Sequence, residues 1–206
     1  MSRAIHSNTL EKAVREHFGL TQAELGRYLG VNNRQISNLE AGRRLASAAV
    51  NQRLERLARL LPPPEGTGPT LPASSPLALP DASATEALAA LPDFGPLAAG
   101  PLQARQRQVA SQAAALRWGL HRDGKRETLQ QRREWGLAVL QAALPGEGAD
   151  AVERAHIARW LRVLAADVVA AVPGPEAVAA RALAVVRLLA LDVEAAALAQ
   201  LLAGGA

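Results

Sequence analysis

The chain has 206 residues, a net charge of +4, 49% apolar and 3% aromatic residues, and no cysteine. These numbers allow one or two domains built on a core of close-packed aliphatic helices, and they exclude disulfides and thiolate metal sites. Only Lys12 and Lys125 are lysine among 23 basic residues, so beside so much alanine and leucine the arginine excess is no evidence of recognition by itself.

Composition divides the chain into three. Residues 1–61 hold 10 Lys/Arg against 5 Asp/Glu. Residues 62–101 hold ten of the 13 prolines, 4 acidic residues and no Lys or Arg. Residues 102–206 hold 13 basic and 10 acidic residues. The middle stretch is expected to be a linker with extended, polyproline-like segments and one short helix, opened by a capping box at Ser83–Glu86 and ending before Pro92. Neither flanking part shows period-two alternation; apolar spacings of three and four predict an all-α protein.

In chain order, Asn8-Thr-Leu-Glu11 is a helix start, and Gly19 stops that helix after Phe18. Thr21-Gln-Ala-Glu24 is a capping box for a second helix that ends at Gly30, a residue suited to positive φ. Asn32 is placed to cap a third helix, in which Ile36 and Leu39 point inward, and Gly42 closes it. Ser47 caps a fourth, with Val50, Leu54, Leu57, Leu60 and Leu61 along one side. The third helix is unusual in composition. It surrounds two apolar residues with Asn33, Arg34, Gln35, Ser37 and Asn38, far more hydrogen-bonding groups than docking requires.

Two short helices joined by a tight glycine-containing turn make a helix-turn-helix. The stretch LTQAELGRYLGVNNRQISNLEAGRR resembles the Xre-type, or Cro/phage-repressor-like, family through Leu20-Thr21-Gln22, Glu24-Leu25, Leu29-Gly30-Val31, Ile36-Ser37, Glu40 and Gly42. The resemblance covers roughly residues 10–61. It implies that Asn33, Arg34, Ser37 and Asn38 face DNA bases, and Asn32 at the helix start is expected among the DNA-binding residues. It implies that Gln22 and Arg43 contact the phosphate backbone, and that Arg15 and Glu40 form a partly buried ion pair joining the first and third helices. The chain departs from the family at Ala41, where a polar residue is frequent, and at Leu45-Ala46-Ser47, where a proline is common. Physical chemistry supports the same face independently. Residues 33, 34, 37 and 38 share one side of a helix. Asn can bond adenine through two contacts and Arg can bond guanine at two atoms, each worth about 1–3 kcal/mol of discrimination.

Four further helices are expected in residues 102–206: Leu102 to about His121, a turn at His121-Arg-Asp-Gly124, Lys125 to Leu144, a third capped by Asp150, and a fourth opening at Pro175. Short connections predict an antiparallel four-helix bundle. The last helix is apolar on nearly all sides, which favours self-association as a homodimer. Trp118, Trp135 and Trp160 suit packing better than an effector pocket.

The functional expectation is a sequence-specific transcriptional regulator binding double-stranded DNA. Residues 1–61 read the operator, 62–101 tether them, and 102–206 mediate dimerisation or take an effector. A flexible tether of about 40 residues would reach ~35 Å, close to the ~34 Å between half-sites one turn apart. The alternative is an antitoxin-like or protein-interaction module whose bundle binds a partner protein while its DNA head regulates its own synthesis. No Ser/His/Asp arrangement, phosphate-cradling glycine loop or zinc-type spacing of His6, His17, His121 and His156 is present, so neither an enzyme nor a cofactor or metal is expected. The first ten residues lack an apolar h-region, and Arg181 and Arg187 interrupt the greasiest stretch. A cytoplasmic chain without a membrane span is the expectation.

Overall fold

The computed structural model describes residues 9–73, 92, 94–146 and 150–204. Among them there are seven α-helices and no strand: α1 (Leu10–His17), α2 (Gln22–Leu29), α3 (Asn33–Glu40), α4 (Ala48–Ala58), α5 (Ala99–Ala143), α6 (Ala151–Ala170) and α7 (Pro175–Gly204). The fold is all-α. The expected capping box at Ser83–Glu86 lies outside the described residues.

Two compact units divide the chain at points different from those suggested by composition. One joins Met1–Ser74 to Thr128–Val172; the other joins Ser75–Glu127 to Pro173–Ala206. In the first unit, α1–α4 enclose Val14, Phe18, Leu25, Tyr28, Ile36 and Leu57, all fully buried. The same apolar cluster continues without a break into Leu140, Leu144, Ile157, Trp160, Leu161 and Leu164. Each such side chain contributes about 1.5–3 kcal/mol through burial, so the helix-turn-helix segment shares its core with residues 128–172. The chain after α4 turns back rather than leaving: Thr67 N–H donates to the Arg59 carbonyl (2.9 Å) and Gly68 N–H to the Leu61 carbonyl (2.7 Å). Linker length therefore does not set where the helix-turn-helix stands within this unit, contrary to the tether expectation.

Polar contacts fix the register of that packing, and Glu24 is their centre. Its side chain accepts from Thr21 N–H (2.6 Å), as a capping box requires, and also from Arg133 Nη2 (2.6 Å) and Nη1 (3.0 Å). Its backbone carbonyl accepts from Trp160 Nε1 (2.9 Å). One residue of α2 thus bonds both α5 and α6. Around it, Arg53 and Arg56 of α4 pair with Glu153 at 2.9 Å each, Arg27 pairs with Asp167, and His156 Nε2 lies 2.8 Å from the Tyr28 carbonyl. Trp135 packs against His17 and Phe18. Gly136 is needed at this contact, because a Cβ there would stand 2.4 Å from the Phe18 carbonyl oxygen.

The second unit pairs the first half of α5 with α7 through Val109, Ala113, Leu120, Leu188, Leu191 and Leu198. The turn expected at His121-Arg-Asp-Gly124 is absent; α5 runs continuously through it. A single mid-helix glycine costs only about 1 kcal/mol against alanine, and the flanking Arg, Glu, Leu and Gln residues are strong helix formers. With no proline to enforce a break, three helices follow α4 among the described residues, not four. Pro175 does open α7 as its first residue, and Asp150 caps α6 by accepting from Glu153 N–H (2.8 Å).

Arg133→Ala leaves the Glu24 carboxylate buried without its cation and is expected to lower unfolding free energy by about 3–5 kcal/mol, read from the denaturant midpoint of the full chain. Burial would raise the carboxyls of Glu24 and Glu153, but the hydrogen bonds and charges of Arg133 and Thr21 on Glu24, and of Arg53 and Arg56 on Glu153, outweigh it and hold both below their ordinary value. The unfolded chain then binds more protons than the folded one in acid. Stability complete at neutral pH is lost as pH falls below 4.5 and through the depressed values. Glu24→Gln should flatten that decline in an acid titration of stability.

Candidate nucleic-acid interface

Local backbone chemistry builds the angle between α2 and α3. Gly30 has φ +74°, the left-handed conformation that closes α2, and Val31 N–H returns to the Gly26 carbonyl at 2.9 Å. A Cβ on Gly26 would lie 2.6 Å from the Val31 oxygen, so only glycine lets the turn approach this closely. Asn32 then caps α3. Its Oδ1 accepts from Gln35 N–H (2.9 Å), while Gln35 Oε1 accepts from Asn32 N–H (2.9 Å). Ile36 and Leu39 are buried, at 0% and 5% exposure, and they hold the helix down. Beyond α3, Gly42 has φ +66° and Arg43 N–H returns to the Asn38 carbonyl, which points the loop outward.

The outer face of α3 is open. Asn33, Arg34 and Ser37 are exposed and Asn38 is half-buried. Among the described residues, the side chains of Asn33, Arg34, Ser37 and Asn38 make no hydrogen bond or ion pair, whereas α2 and α4 are tied to α5 and α6 as described above. Arg43 and its neighbour Arg44 are exposed and without an acidic partner among the described residues. Three exposed guanidiniums thus flank α3 without an acidic partner among the described residues, Arg34 in its first turn and Arg43 and Arg44 in the loop after it. Arg44 lies outside the set of residues expected from the sequence, although it directly follows Arg43.

Arg15 and Glu40 do meet. Glu40, 9% exposed, accepts from Arg15 Nε (2.5 Å) and Nη2 (3.4 Å), joining the end of α3 to α1. Gln22 is drawn into the same cluster: its Nε2 donates to Glu40 Oε2 (2.9 Å). Asn32 is likewise partly committed, since its oxygen serves the cap. Gln35, the reciprocal partner in that cap, was legible from the Asn-x-x-Gln spacing but was not among the expected site residues.

Residues elsewhere take other roles. Trp160 is buried against Tyr28 (centroids 4.7 Å apart), Trp135 packs on α1, and Trp118 is 69% exposed. Burial and the nearby Arg132 charge lower the His17 imidazole below its ordinary value, even though a hydrogen bond with the Pro69 backbone raises it. Among the described residues no cluster of His, Asp and Glu suits a metal ion, and no helix is long and apolar enough to cross a membrane.

If Glu40 ties three helix ends, removing either partner of its ion pair must loosen all of them. Arg15→Ala is expected to cost about 3 kcal/mol of stability or slightly less, near the low end for a largely buried pair. Protection of α3 amides in hydrogen exchange should fall with it; unchanged protection would show that Ile36 and Leu39 suffice.

Comparison with known proteins agrees with this geometry. No curated protein and no solved structure matches the chain significantly. A family model described as helix-turn-helix matches residues 12–62, a segment that includes the whole of α2, α3 and α4. This match supports a DNA-binding helix-turn-helix regulator. Residues 12–62, about a quarter of the chain, thus match an Xre/Cro-like helix-turn-helix model.

Proposed function

We propose that the chain is a sequence-specific, DNA-binding transcriptional regulator that lays α3 in the major groove. The observation that carries this is the unengaged polar face of α3, in a helix-turn-helix whose other faces are committed to packing and ion pairs. Arg34 and Asn33, in the first turn of α3, bond base edges; Ser37 and Asn38, one turn on, extend the contact. Asn32 contributes its amide hydrogens, its oxygen being held by the cap.

Phosphates are gripped at the edges of that face. A glutamine amide carries two donor hydrogens, so Gln22 can bond Glu40 and a phosphate together. Arg43, joined by Arg44, reaches the backbone from the loop after α3. Such contacts fix register without carrying sequence information. A regulator of this kind acts on cytoplasmic DNA without a cofactor or catalysis, and its second head comes from a second copy of the chain. The heads are packed on residues 128–172, so the length of residues 62–101 does not by itself set the half-site spacing.

The test separates the two classes of contact on the full chain. Arg34→Ala should cost about 1–3 kcal/mol and relax preference at one operator position. Arg43→Ala should weaken all duplexes alike and reduce the dependence of log K on log salt by about one unit. Arg34→Ala binding that falls equally at every position would remove it from base reading. Co-purification of a stoichiometric second polypeptide in place of a homodimer would favour the antitoxin-like alternative.

A further inference from the structure

The core and ion pairs of the second unit fix which side of α7 faces α5. Leu188, Leu191 and Leu198 are buried, Asp192 pairs with Arg117, Glu194 with Arg105, and Arg181 with Glu127. At about 100° per residue, the opposite side of α7 carries Ala179, Ala182, Leu183, Val186 and Ala190, and all five are exposed. Leu183 is 69% and Val186 63% exposed, large values for apolar residues on a regular helix. This stripe holds no charge. One of its edges carries Glu176 and Arg187, both exposed and neither in a hydrogen bond or ion pair among the described residues. Eleven residues separate them, which is three helical turns and only about 20° more.

We propose that this face of α7 pairs antiparallel with the same face of a second copy of the chain. A two-fold axis between Ala182 and Leu183 sets Ala179 against Val186 of the partner subunit, and Ala182 against Leu183 of the partner subunit. Each large side chain then meets a small one, the alternation that close helix packing requires. A two-fold axis perpendicular to both helices keeps the charged edges on one side of the interface. Arg187 therefore lies within two residues, roughly 3 Å along the helix, of Glu176 of the partner subunit, and symmetry makes this pair twice. Parallel pairing offers neither feature: it opposes Leu183 to itself and leaves Arg187 and Glu176 about 16 Å apart along the axis. The surface is self-complementary in size and in charge only in the antiparallel sense, as an isologous contact demands.

This rests on the regulator reading only for its purpose, the joining of two heads. Pairing is measured without DNA, so a dimer that binds no duplex would sink the regulator reading and leave this one intact. Because the chain has no cysteine, single cysteines report register directly in the full-length protein. Ala182→Cys, beside the axis, is expected to give a disulfide-linked dimer on mild oxidation; Ala179→Cys and Ala190→Cys, far from their symmetry mates, are not. Equal cross-linking at all three positions indicates a parallel pair and overturns the proposal, as does a wild-type monomer in sedimentation at tens of μM (roughly the weak end of useful association). Arg187→Glu and Glu176→Arg should each weaken the dimer about five- to tenfold, given two partly exposed ion pairs. The double variant should return to within about twofold of wild type; failure to recover would remove the charge pairing and the register it defines.

Discussion

The buried contact between Glu24 and Arg133 is the constraint on which the rest of the first unit depends. A carboxylate withdrawn from water is costly unless its lone pairs are filled. Here they are filled by the Thr21 amide from its own helix and by a bidentate guanidinium from α5. The same residue's carbonyl receives the Trp160 indole. Glu24, whose carboxylate completes the capping box at the start of α2, is therefore also the point at which α2 is fastened to two long helices. Local helix formation and long-range packing are satisfied by one side chain, and each makes the other cheaper.

That fastening has a functional consequence. The helix-turn-helix is held through α1, α2 and α4, by Phe18, Tyr28, Arg53 and Arg56 as well as Glu24, while the outward side of α3 makes no comparable bond. Docking energy is spent away from the exposed side of α3, the side proposed to enter the groove. What faces solvent is a short row of amides, a hydroxyl and guanidiniums, groups that lose little by exchanging water for base edges and phosphates. In the proposed reading, fixing α3 on a firm support would also lower the ordering cost of binding, because the head would not have to be restrained from a floppy tether.

Much of the first unit was legible in the sequence because its signals are local. The capping box at Thr21, the cap at Asn32, the glycines at positions 19, 30 and 42, and the inward spacing of Ile36 and Leu39 all act within four residues of themselves, and each is found where it was expected. What the sequence hid was long-range. Nothing near Arg133 or Trp160 reveals that their partner is more than 100 residues away, and Gly136 looks like an ordinary helix weakness until the Phe18 backbone is seen beside it. Proline content suggested that the chain departs at Pro62, yet the backbone bonds from Thr67 and Gly68 to the end of α4 keep it there. The expected break at Gly124 failed for a simpler reason: one glycine is a small penalty in a long run of good helix formers. The candidate site shows the same division. Arg15 and Glu40 meet as expected, whereas the capture of Gln22 by Glu40 depends on three elements converging and could not be read from spacing.

The central claim is that the free side of α3 reads base sequence. Its most direct measurement is selection of bound duplexes from a random library by the intact chain at physiological salt, followed by titration of the enriched site against a scrambled one. One enriched motif is expected, bound at least about 10³-fold more tightly than the scrambled duplex. A library that emerges unenriched, or equal affinity for both duplexes, would contradict it.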